Sequence, residues 1–294
     1  MPGKLYVVAT PIGNLEDITA RAKRILEEVD IIAAEDTRNT QKLLGLLGIG
    51  NRTVSNHKFN ERDKADSLVA ELSEGNNIAV VSDAGTPCIS DPGFALVAAA
   101  AAAGIEVIGI SGASAVITAL SVSGFGFDAF AFYGFFPREK KEINETIDKI
   151  KRDCIPVSVF YESPQRIIKT LRVIADDLPG SELCLCNDLT KLHERIYRGS
   201  PAKVLAELED NPSADKGEYT LVMRFSEPPA AESPADELSP EALIFDYAAK
   251  NGGSAKDAVT ALAKSSGGKY SKSDLYKASL RLKEIARGLF PSGN

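Results

Sequence analysis

Short runs of apolar and β-branched residues alternate along the first part of the chain with longer amphipathic stretches. The predicted strands cover residues 5–9, 31–34, 78–81 and 105–110, and the predicted helices cover 18–28, 40–47, 94–103 and 115–122. Strands that alternate with helices at this spacing are typical of βαβ units, in which right-handed crossovers join parallel strands. We therefore expect residues 1–112 to form a first α/β domain with a parallel sheet.

The same alternation continues further along, with one difference. The predicted strands cover residues 129–133, 157–161, 183–187, 195–197 and 219–225, and the predicted helices cover 138–152, 164–177 and 201–208. No full helix separates the strand near 187 from the strand near 195, and parallel neighbours need such a crossover. Residues 113–225 are therefore predicted to form a second α/β domain with a mixed sheet.

The last part of the chain has a different composition. Residues 226–240 are rich in Pro, Ala, Ser and acids without apolar periodicity, which indicates a linker. Apolar positions recur at helical spacing over 241–294, interrupted at Gly267 and Gly268, and Ser273 is expected to cap a helix. A nucleic-acid-binding helix-turn-helix module and a plain helical hairpin both satisfy this pattern.

Charge is distributed unevenly between these parts. The formal net charge is −7, which argues against non-specific nucleic-acid binding by the whole surface. Residues 250–287 nevertheless contain nine Lys and Arg against three acids. This asymmetry favours a basic module for an anionic partner, with Lys269, Lys272 and Lys277 as candidate contacts. A solvated helical surface is the alternative.

Composition excludes several classes of protein. The four cysteines form no C-x-x-C pair and the two histidines cannot build a multi-histidine centre, so we expect no metal and a reducing compartment. The N-terminus lacks a secretory pattern, and Gly104 ends the apolar stretch that begins at Phe94 before it can span a membrane. A cytoplasmic enzyme without a membrane segment is the expected class.

Turn-rich polar segments follow four predicted strands, at the edge where open α/β sheets bind ligands. They comprise residues 10–15, 35–38, 82–93 and 111–115. Glycine and proline there let backbone amides approach a ligand closely and fix the loop shape. The segments fit no dinucleotide fingerprint, because Gly13 stands alone, and no P-loop. The elbow-like sequence at 109–113 ends in Ala113 instead of glycine.

Taken in order, these segments resemble the motif set of the tetrapyrrole methylase superfamily. The motifs are Thr10-Pro11-Ile12-Gly13-Asn14-Leu15, Ala34-Glu35-Asp36-Thr37-Arg38, Val81-Ser82-Asp83-Ala84-Gly85-Thr86-Pro87, Ser111-Gly112-Ala113-Ser114-Ala115, Gly134-Phe135-Phe136-Pro137 and Phe160-Tyr161-Glu162-Ser163-Pro164. Within the superfamily they are most similar to the subgroup that 2′-O-methylates a cytidine in the decoding centre of 16S ribosomal RNA. The resemblance covers residues 4–225, and the C-terminal tail resembles that subgroup's extra helical domain.

The resemblance implies two α/β domains with S-adenosylmethionine in the cleft between them, a homodimer, and 16S rRNA, within the small ribosomal subunit, as partner. The positions that it assigns to the methyl donor are Pro11, Asp83, Ala84, Gly85, Thr86, Ser114, Ala115 and Tyr161. A carboxylate such as Asp83 can pair with the donor's ammonium or ribose. Asp83 can equally shape a turn or cap the helix that begins near Asp91.

Transfer to a ribose hydroxyl needs a group that removes its proton. The candidates are Glu35, Asp36, Glu162, Lys191 and Glu194. Arg38 is placed to hold a phosphate bidentately, and Arg138 lies near the inferred cleft edge. The alternative for residues 35–38 is a plain helix-capping segment.

Two other functions satisfy the sequence. A precorrin or uroporphyrinogen methylase of the same superfamily would need nothing after Pro240. A non-catalytic ribosome-binding factor would keep the donor site as a relic.

Overall fold

The computed structural model describes residues 1–57, 61–225, 239–252, 254–265 and 270–289. Within these residues the chain divides into two compact units. The first contains both sheets, and the second contains the three C-terminal helices together with residues 148–154.

Five parallel strands form the first sheet, in the order β3-β2-β4-β1-β5. They are β1 (Leu5–Val8), β2 (Ile31–Ala34), β3 (Thr53–Ser55), β4 (Ile78–Val81) and β5 (Val107–Ile110). The connecting helices are α1 (Ala20–Glu28), α2 (Thr37–Leu47), α3 (Glu61–Ser73) and α4 (Phe94–Ala102). The predicted parallel sheet is confirmed, but β3 and α3 were missing from the prediction.

Helices cover both faces of this sheet, because its strands are apolar on both sides. On one face, Ile25 and Leu26 of α1 and Leu44 of α2 pack in one buried cluster with Ile32 and Ala34 of β2. On the other face, a second cluster joins side chains of α3 and α4 to the sheet; it includes Leu68, Leu72, Leu96, Ile78 and Val80. Burial on both faces is expected for a parallel sheet.

The second sheet is mixed, as predicted, with the order β6-β7-β10-β8-β9. Its strands are β6 (Phe130–Phe135), β7 (Val157–Glu162), β8 (Ser181–Asn187), β9 (Arg195–Gly199) and β10 (Tyr219–Phe225). Only β6 and β7 run parallel among these neighbours, and the other pairs are antiparallel. Its helices are α5 (Ala115–Ser123), α6 (Lys140–Asp153), α7 (Ile167–Asp177) and α8 (Pro201–Glu209).

Helix α5 packs on the second sheet, not on the first. Val116 and Leu120 share a buried cluster with Val159 of β7, Cys184 of β8 and Val222 of β10. The loop that ends β5 therefore passes directly from one sheet to the other. The domain boundary near residue 112 stays a prediction.

The second unit contains α9 (Pro240–Asn251), α10 (Ala255–Ser265) and α11 (Lys272–Leu289). Its buried centre comprises Ile244, Ala258, Val259, Leu275 and Ala278. Most of the predicted linker, residues 226–238, lies outside the described residues, as do Gly267, Gly268 and Lys269. The predicted helix-turn-helix function of this unit stays a prediction.

One predicted helix cap is wrong. The Asp274 N–H donates to Ser271 Oγ at 3.2 Å, and Ser271 Oγ donates to the Asp274 carboxylate at 2.6 Å. Ser271 is therefore the cap of α11, and Ser273 lies inside the helix.

Candidate functional site

Two loops at the carboxyl edge of the first sheet are joined by a short backbone ladder. The Thr10 N–H donates to the Gly85 carbonyl at 2.9 Å, and the Gly85 N–H donates to the Thr10 carbonyl at 3.0 Å. Gly85 has φ +80°, and a Cβ built there would lie 3.2 Å from Cγ2 of Ile12. The loops after β1 and β4 therefore approach each other at a distance that favours glycine.

The loop after β5 is attached to the same assembly. Thr86 Oγ1 donates to the Ala113 carbonyl at 3.1 Å. A Cβ on Gly112 would lie 2.9 Å from that of Ala9, so this loop also passes close to the end of β1. Ser114 then caps α5 by accepting from the Ile117 N–H.

The loop after β2 is held by three reciprocal hydrogen bonds with Asp83. The Asp83 N–H donates to Glu35 Oε2 at 3.2 Å. The Asp83 carboxylate accepts from the Asp36 N–H at 3.2 Å and from Asn39 Nδ2 at 2.8 Å. Asp83 thus links two adjacent strand ends, and it does not cap α4, whose N-cap is Gly93.

The second sheet supplies the facing wall through the antiparallel pair of β7 and β10. Tyr161 lies opposite Thr220, and Glu162 lies opposite Tyr219, so the end of β7 meets the start of β10. Leu189, after β8, belongs to the buried cluster that contains Ile12.

These loops enclose a cavity of about 390 Å³ between the two sheets. Its lining comprises Ile12, Glu35, Asp83, Ala84, Gly85, Thr86, Ile89, Ser90, Asp91, Ser114 and Ala115 from the first sheet's loops and α5, and Phe135, Tyr161, Glu162, Ser163, Pro164, Leu189, Glu218, Tyr219 and Thr220 from the second sheet and its loops. This size lies within the range of small-molecule sites, about 300–1,000 Å³.

One wall of the cavity carries three carboxylates, those of Glu35, Asp83 and Asp91. Burial raises the pKa of Glu35, against the effect of the Asp83 N–H, and Asp91, Asp83 and Asp36 raise it further. Burial also raises the pKa of Asp91, against a hydrogen bond with Ser82. The wall therefore favours a cation and holds carboxyls that exchange protons above their ordinary range.

Two predicted bases are held in structural interactions. Asp36 caps α2 and is bound by Arg38, whose hydrogen bonds lower the pKa of Asp36 to about 2. Glu162 is buried and accepts from Thr170 Oγ1 at 2.6 Å, from the Ser163 N–H at 2.6 Å and from Arg166. These contacts favour structural roles for both groups.

The side chains of Lys191 and Glu194 are also held in hydrogen bonds within the protein. Lys191 Nζ donates to Asp188 at 2.8 Å and to Glu218 at 2.8 Å, and Glu194 accepts from the Thr190 N–H at 2.6 Å. Partial burial opposes the charge on Lys191, but the two carboxylates raise its pKa. Lys191 is therefore protonated at neutral pH and is a poor base.

The structure brings together most of the predicted donor-binding residues. Those lining the cavity are Asp83, Ala84, Gly85, Thr86, Ser114, Ala115 and Tyr161. Pro11 is not among the lining residues, whereas its neighbour Ile12 is. Arg38 and Arg138 are outside the lining, Lys272 and Lys277 lie on α11, and Lys269 is outside the described residues. The roles of all these residues stay predictions.

Sequence reasoning missed Asp91 and Asn39. Asp91 lies in the polar segment 82–93 that the sequence places at the ligand-binding edge, but it is not among the candidate site residues. Asn39 lies inside α2, and no local pattern connects it to a carboxylate 44 positions away.

Among the described residues, no group of three or more His, Cys, Asp and Glu side chains is arranged to hold a metal ion. No helix in that part of the chain is long and apolar enough to cross a membrane.

The sequence profile of the tetrapyrrole (corrin/porphyrin) methylases matches residues 4–204, well over half of the chain. The chain belongs to the tetrapyrrole methylase family. The resemblance found in the sequence motifs is thereby confirmed, and this methylase belongs to the methyltransferase class of enzymes.

Relatives at higher identity carry a more specific name. The methylase is 42% identical to ribosomal RNA small subunit methyltransferase I of Escherichia coli O157:H7, over 82% of this chain and 85% of that protein. It is 46% identical to the protein of the same name from Vibrio cholerae, over 74% of this chain and 76% of that protein.

The fold also has a solved counterpart in the methyltransferase CobJ. The TM-score is 0.56 at 17% identity, over 76% of this methylase and 95% of CobJ. At this identity the likeness shows the fold alone, and it agrees with the predicted two-sheet architecture.

Proposed function

We propose that this methylase transfers a methyl group from S-adenosylmethionine to the 2′-hydroxyl of a cytidine ribose in the decoding centre of 16S ribosomal RNA. The observation that carries the proposal is the acid-walled cavity, in a chain 42% identical to a protein named for small-subunit ribosomal RNA. The substrate implies a cytoplasmic enzyme.

The residues of the cavity fit the donor's chemistry. S-adenosylmethionine carries a sulfonium and an ammonium cation, which suit the wall of Glu35, Asp83 and Asp91. Its carboxylate suits the positive end of the α5 helix dipole, beside Ser114 and Ala115. The donor-binding set is thus Asp83, Ala84, Gly85, Thr86, Ser114, Ala115 and Tyr161, with Ile12 added, and Pro11 shaping the loop. No metal is required.

When bound, the donor supplies the electrophilic methyl carbon. The chain's task is to hold the ribose oxygen in line with it and to accept the proton of that hydroxyl. We assign this task to Glu35, because it lines the cavity, its pKa is raised towards neutrality, and only one of its oxygens accepts the Asp83 N–H. Asp36 does not line the cavity, and both carboxylate oxygens of Glu162 already accept hydrogen bonds.

The target RNA requires cationic contacts outside the cavity. Arg38 lies in the first turn of α2 with a side chain 83% exposed, and Arg138 lies between β6 and α6. We propose that both hold backbone phosphates, and that Lys269, Lys272 and Lys277 of the C-terminal unit add further contacts. Lysine and arginine are the usual phosphate ligands.

We further propose a homodimer that uses the edge of the second sheet. Strand β6 is an edge strand, and Phe130 is 39% exposed there. Phe127 lies beside it, with ring centroids 6.0 Å apart. An uncovered apolar edge strand invites pairing with another chain, and a second copy would cover it.

In the deciding experiment, the purified protein is incubated with small ribosomal subunits and with S-adenosylmethionine that is labelled in its methyl group. Nuclease mapping is expected to place the label on a single cytidine ribose of 16S rRNA. Label transferred to uroporphyrinogen or a precorrin, and not to RNA, would overturn the proposal in favour of a tetrapyrrole substrate. Donor binding without transfer to either substrate would favour a non-catalytic ribosome-binding factor.

A further inference from the structure

The C-terminal unit has one surface on which the positive charge is not neutralised within the part of the chain that the structure describes. Arg281 of α11 is paired with Glu241 at 2.8 Å, and Lys250 of α9 is paired with Asp246 at 2.9 Å. By contrast, Lys256 and Lys272 form no salt bridge with any described residue.

Two acids near these lysines are already hydrogen-bonded to the serines that cap α10 and α11. Asp257 accepts from the Ser254 N–H at 3.0 Å and from Ser254 Oγ at 2.7 Å. Asp274 accepts from Ser271 Oγ at 2.6 Å. Hydrogen bonds to these serines lower the pKa of both carboxyls, so both stay ionised and tied to their own helix starts. They do not cancel the lysine charges through direct ion pairs.

Lys256 and Lys272 line the same groove between α10 and α11. This groove, the basic groove, encloses about 430 Å³ and is lined by Lys256, Val259, Thr260, Lys272, Ser273 and Tyr276. Tyr276 is 56% exposed, which is unusual for a large aromatic side chain in a small helical unit. The groove therefore combines two cations with an accessible aromatic face.

The exposed aromatic belongs to a stripe along α11. Lys272, Tyr276, Leu280 and Lys283 follow one another at helical spacing, so they share one face. Lys277 is turned from Tyr276 by about 100°. It is not among the residues that line the groove. Lys272 and Lys277, which the sequence analysis suggested together as contacts for an anionic partner, therefore lie in different surroundings.

We propose that the basic groove binds a single-stranded segment of RNA, with Lys256 and Lys272 holding phosphates and Tyr276 stacking on a base. The proposal rests on the proposed function, since it names the part of the substrate that the C-terminal unit recognises. A groove that alternates cations with an exposed aromatic suits unpaired nucleotides, whose bases are free to stack. A duplex offers phosphates but keeps its bases stacked inside.

The test measures binding of a short fluorescein-labelled single-stranded oligoribonucleotide to the full chain by anisotropy, across a salt titration. Lys256→Gln together with Lys272→Gln is expected to flatten the salt dependence by about 0.7 in log–log slope for each phosphate that is no longer neutralised. Tyr276→Ala is expected to weaken binding about tenfold at every salt concentration, whereas Tyr276→Phe keeps the affinity.

Matched controls separate the groove from general charge. Lys250→Gln removes a lysine already paired with Asp246, and Lys203→Gln removes a lysine of α8 already paired with Glu207. Both are expected to bind the oligonucleotide nearly as well as the unchanged chain. Equal losses in the groove and control variants would overturn the proposal, as would tighter binding of the matching duplex or no RNA binding at all.

The proposed function and the proposed RNA binding by the basic groove can be tested separately. Calorimetry with S-adenosylmethionine is expected to give the same donor affinity for every groove variant, because none of the changed residues lines the donor cavity. A chain that binds the oligonucleotide through the groove but methylates no ribosomal RNA would contradict the proposed function alone. If the variant that lacks both groove lysines methylates ribosomal RNA as well as the unchanged chain does, only the proposed role of the basic groove is contradicted.

Discussion

Oε2 of Glu35 lies 3.2 Å from the backbone nitrogen of Asp83 and accepts its N–H, which joins the loop after β2 to the loop after β4. The same two residues line the cavity between the two sheets. The hydrogen bond leaves the other carboxylate oxygen of Glu35 available for a substrate proton. The contact fixes the position of the Glu35 carboxylate, whereas burial raises its pKa against the effect of the Asp83 N–H.

Glu35→Gln is expected to lower kcat by about 100-fold or more, because the amide keeps the contact with Asp83 but accepts no proton. A base works only when it is deprotonated, so the rate of the unchanged enzyme rises with pH through the pKa of Glu35. Burial raises that pKa, so the acid limb lies above the range of an ordinary carboxyl. The kcat–pH profile checks this, and the limb should vanish in Glu35→Gln.

Asp36→Asn is the matched control for that variant. Asparagine still caps a helix, and Asp36 lies outside the cavity lining. Its kcat and acid limb should match those of the unchanged enzyme. An acid limb that is absent in Asp36→Asn and kept in Glu35→Gln would reverse the assignment.

Asp83→Ala is expected to weaken donor binding about tenfold or more, since it removes a charge from the acid wall and two accepted hydrogen bonds. Asp83→Asn removes the charge and keeps one oxygen acceptor, so it retains the hydrogen bond from Asn39 and loses the one from the Asp36 N–H. Calorimetry with S-adenosylmethionine gives both affinities. Unchanged affinity in Asp83→Ala would remove this residue from the donor site.

Glu162→Ala is expected to destabilise the fold by about 3 kcal/mol, because it leaves Arg166 without its buried partner. Glu209→Ala is the control, since its ion pair with Arg172 is exposed and should contribute less than about 1 kcal/mol. Urea unfolding measures both. Full stability combined with a large loss of kcat would instead indicate that Glu162 is the base.

Gly85→Ala is expected to cost about 1–2 kcal/mol of stability, because φ +80° is strained for any residue with a Cβ. The new methyl group would also press on Ile12 and weaken donor binding. Gly50→Ala, where a Cβ meets nothing within 4 Å, is the control and should be neutral. Thermal unfolding with and without donor distinguishes the two effects.

Phe130→Lys is expected to convert the proposed dimer to a monomer, because a charge on β6 would have to be desolvated in the interface. Light scattering after gel filtration measures the mass. Leu46→Lys, at an exposed position of α2 in the first sheet's layer, should leave the mass unchanged. A monomeric unchanged chain would contradict the dimer itself.

Much of the fold follows from local pattern. Strands β2, β4 and β10 have the predicted bounds. The first two are continuous apolar runs between polar turns, which leave little choice of bounds. Strand β3 was missed because Thr53–Ser55 is short and half-buried. Helix α3 was missed although Ala65, Leu68 and Leu72 recur at helical spacing, so that signal was available.

The candidate site was predictable only as a set of loops. Glycine and proline after successive strands indicated the edge at which the cavity lies, since the carboxyl ends of parallel strands share it. Which carboxylates are free to act was not predictable. Glu162 is occupied by Thr170 and Arg166, and Lys191 by Asp188 and Glu218, and these pairings exist only in the folded chain.

The ladder between Thr10 and Gly85 holds the backbone of a residue that lines the cavity. In the proposed reaction, the donor and its demethylated product have nearly the same shape. They differ at sulfur, which loses its positive charge when the methyl group departs. The product keeps its ammonium group, so its attraction to Glu35, Asp83 and Asp91 is expected to weaken without being lost, which favours release after each turnover.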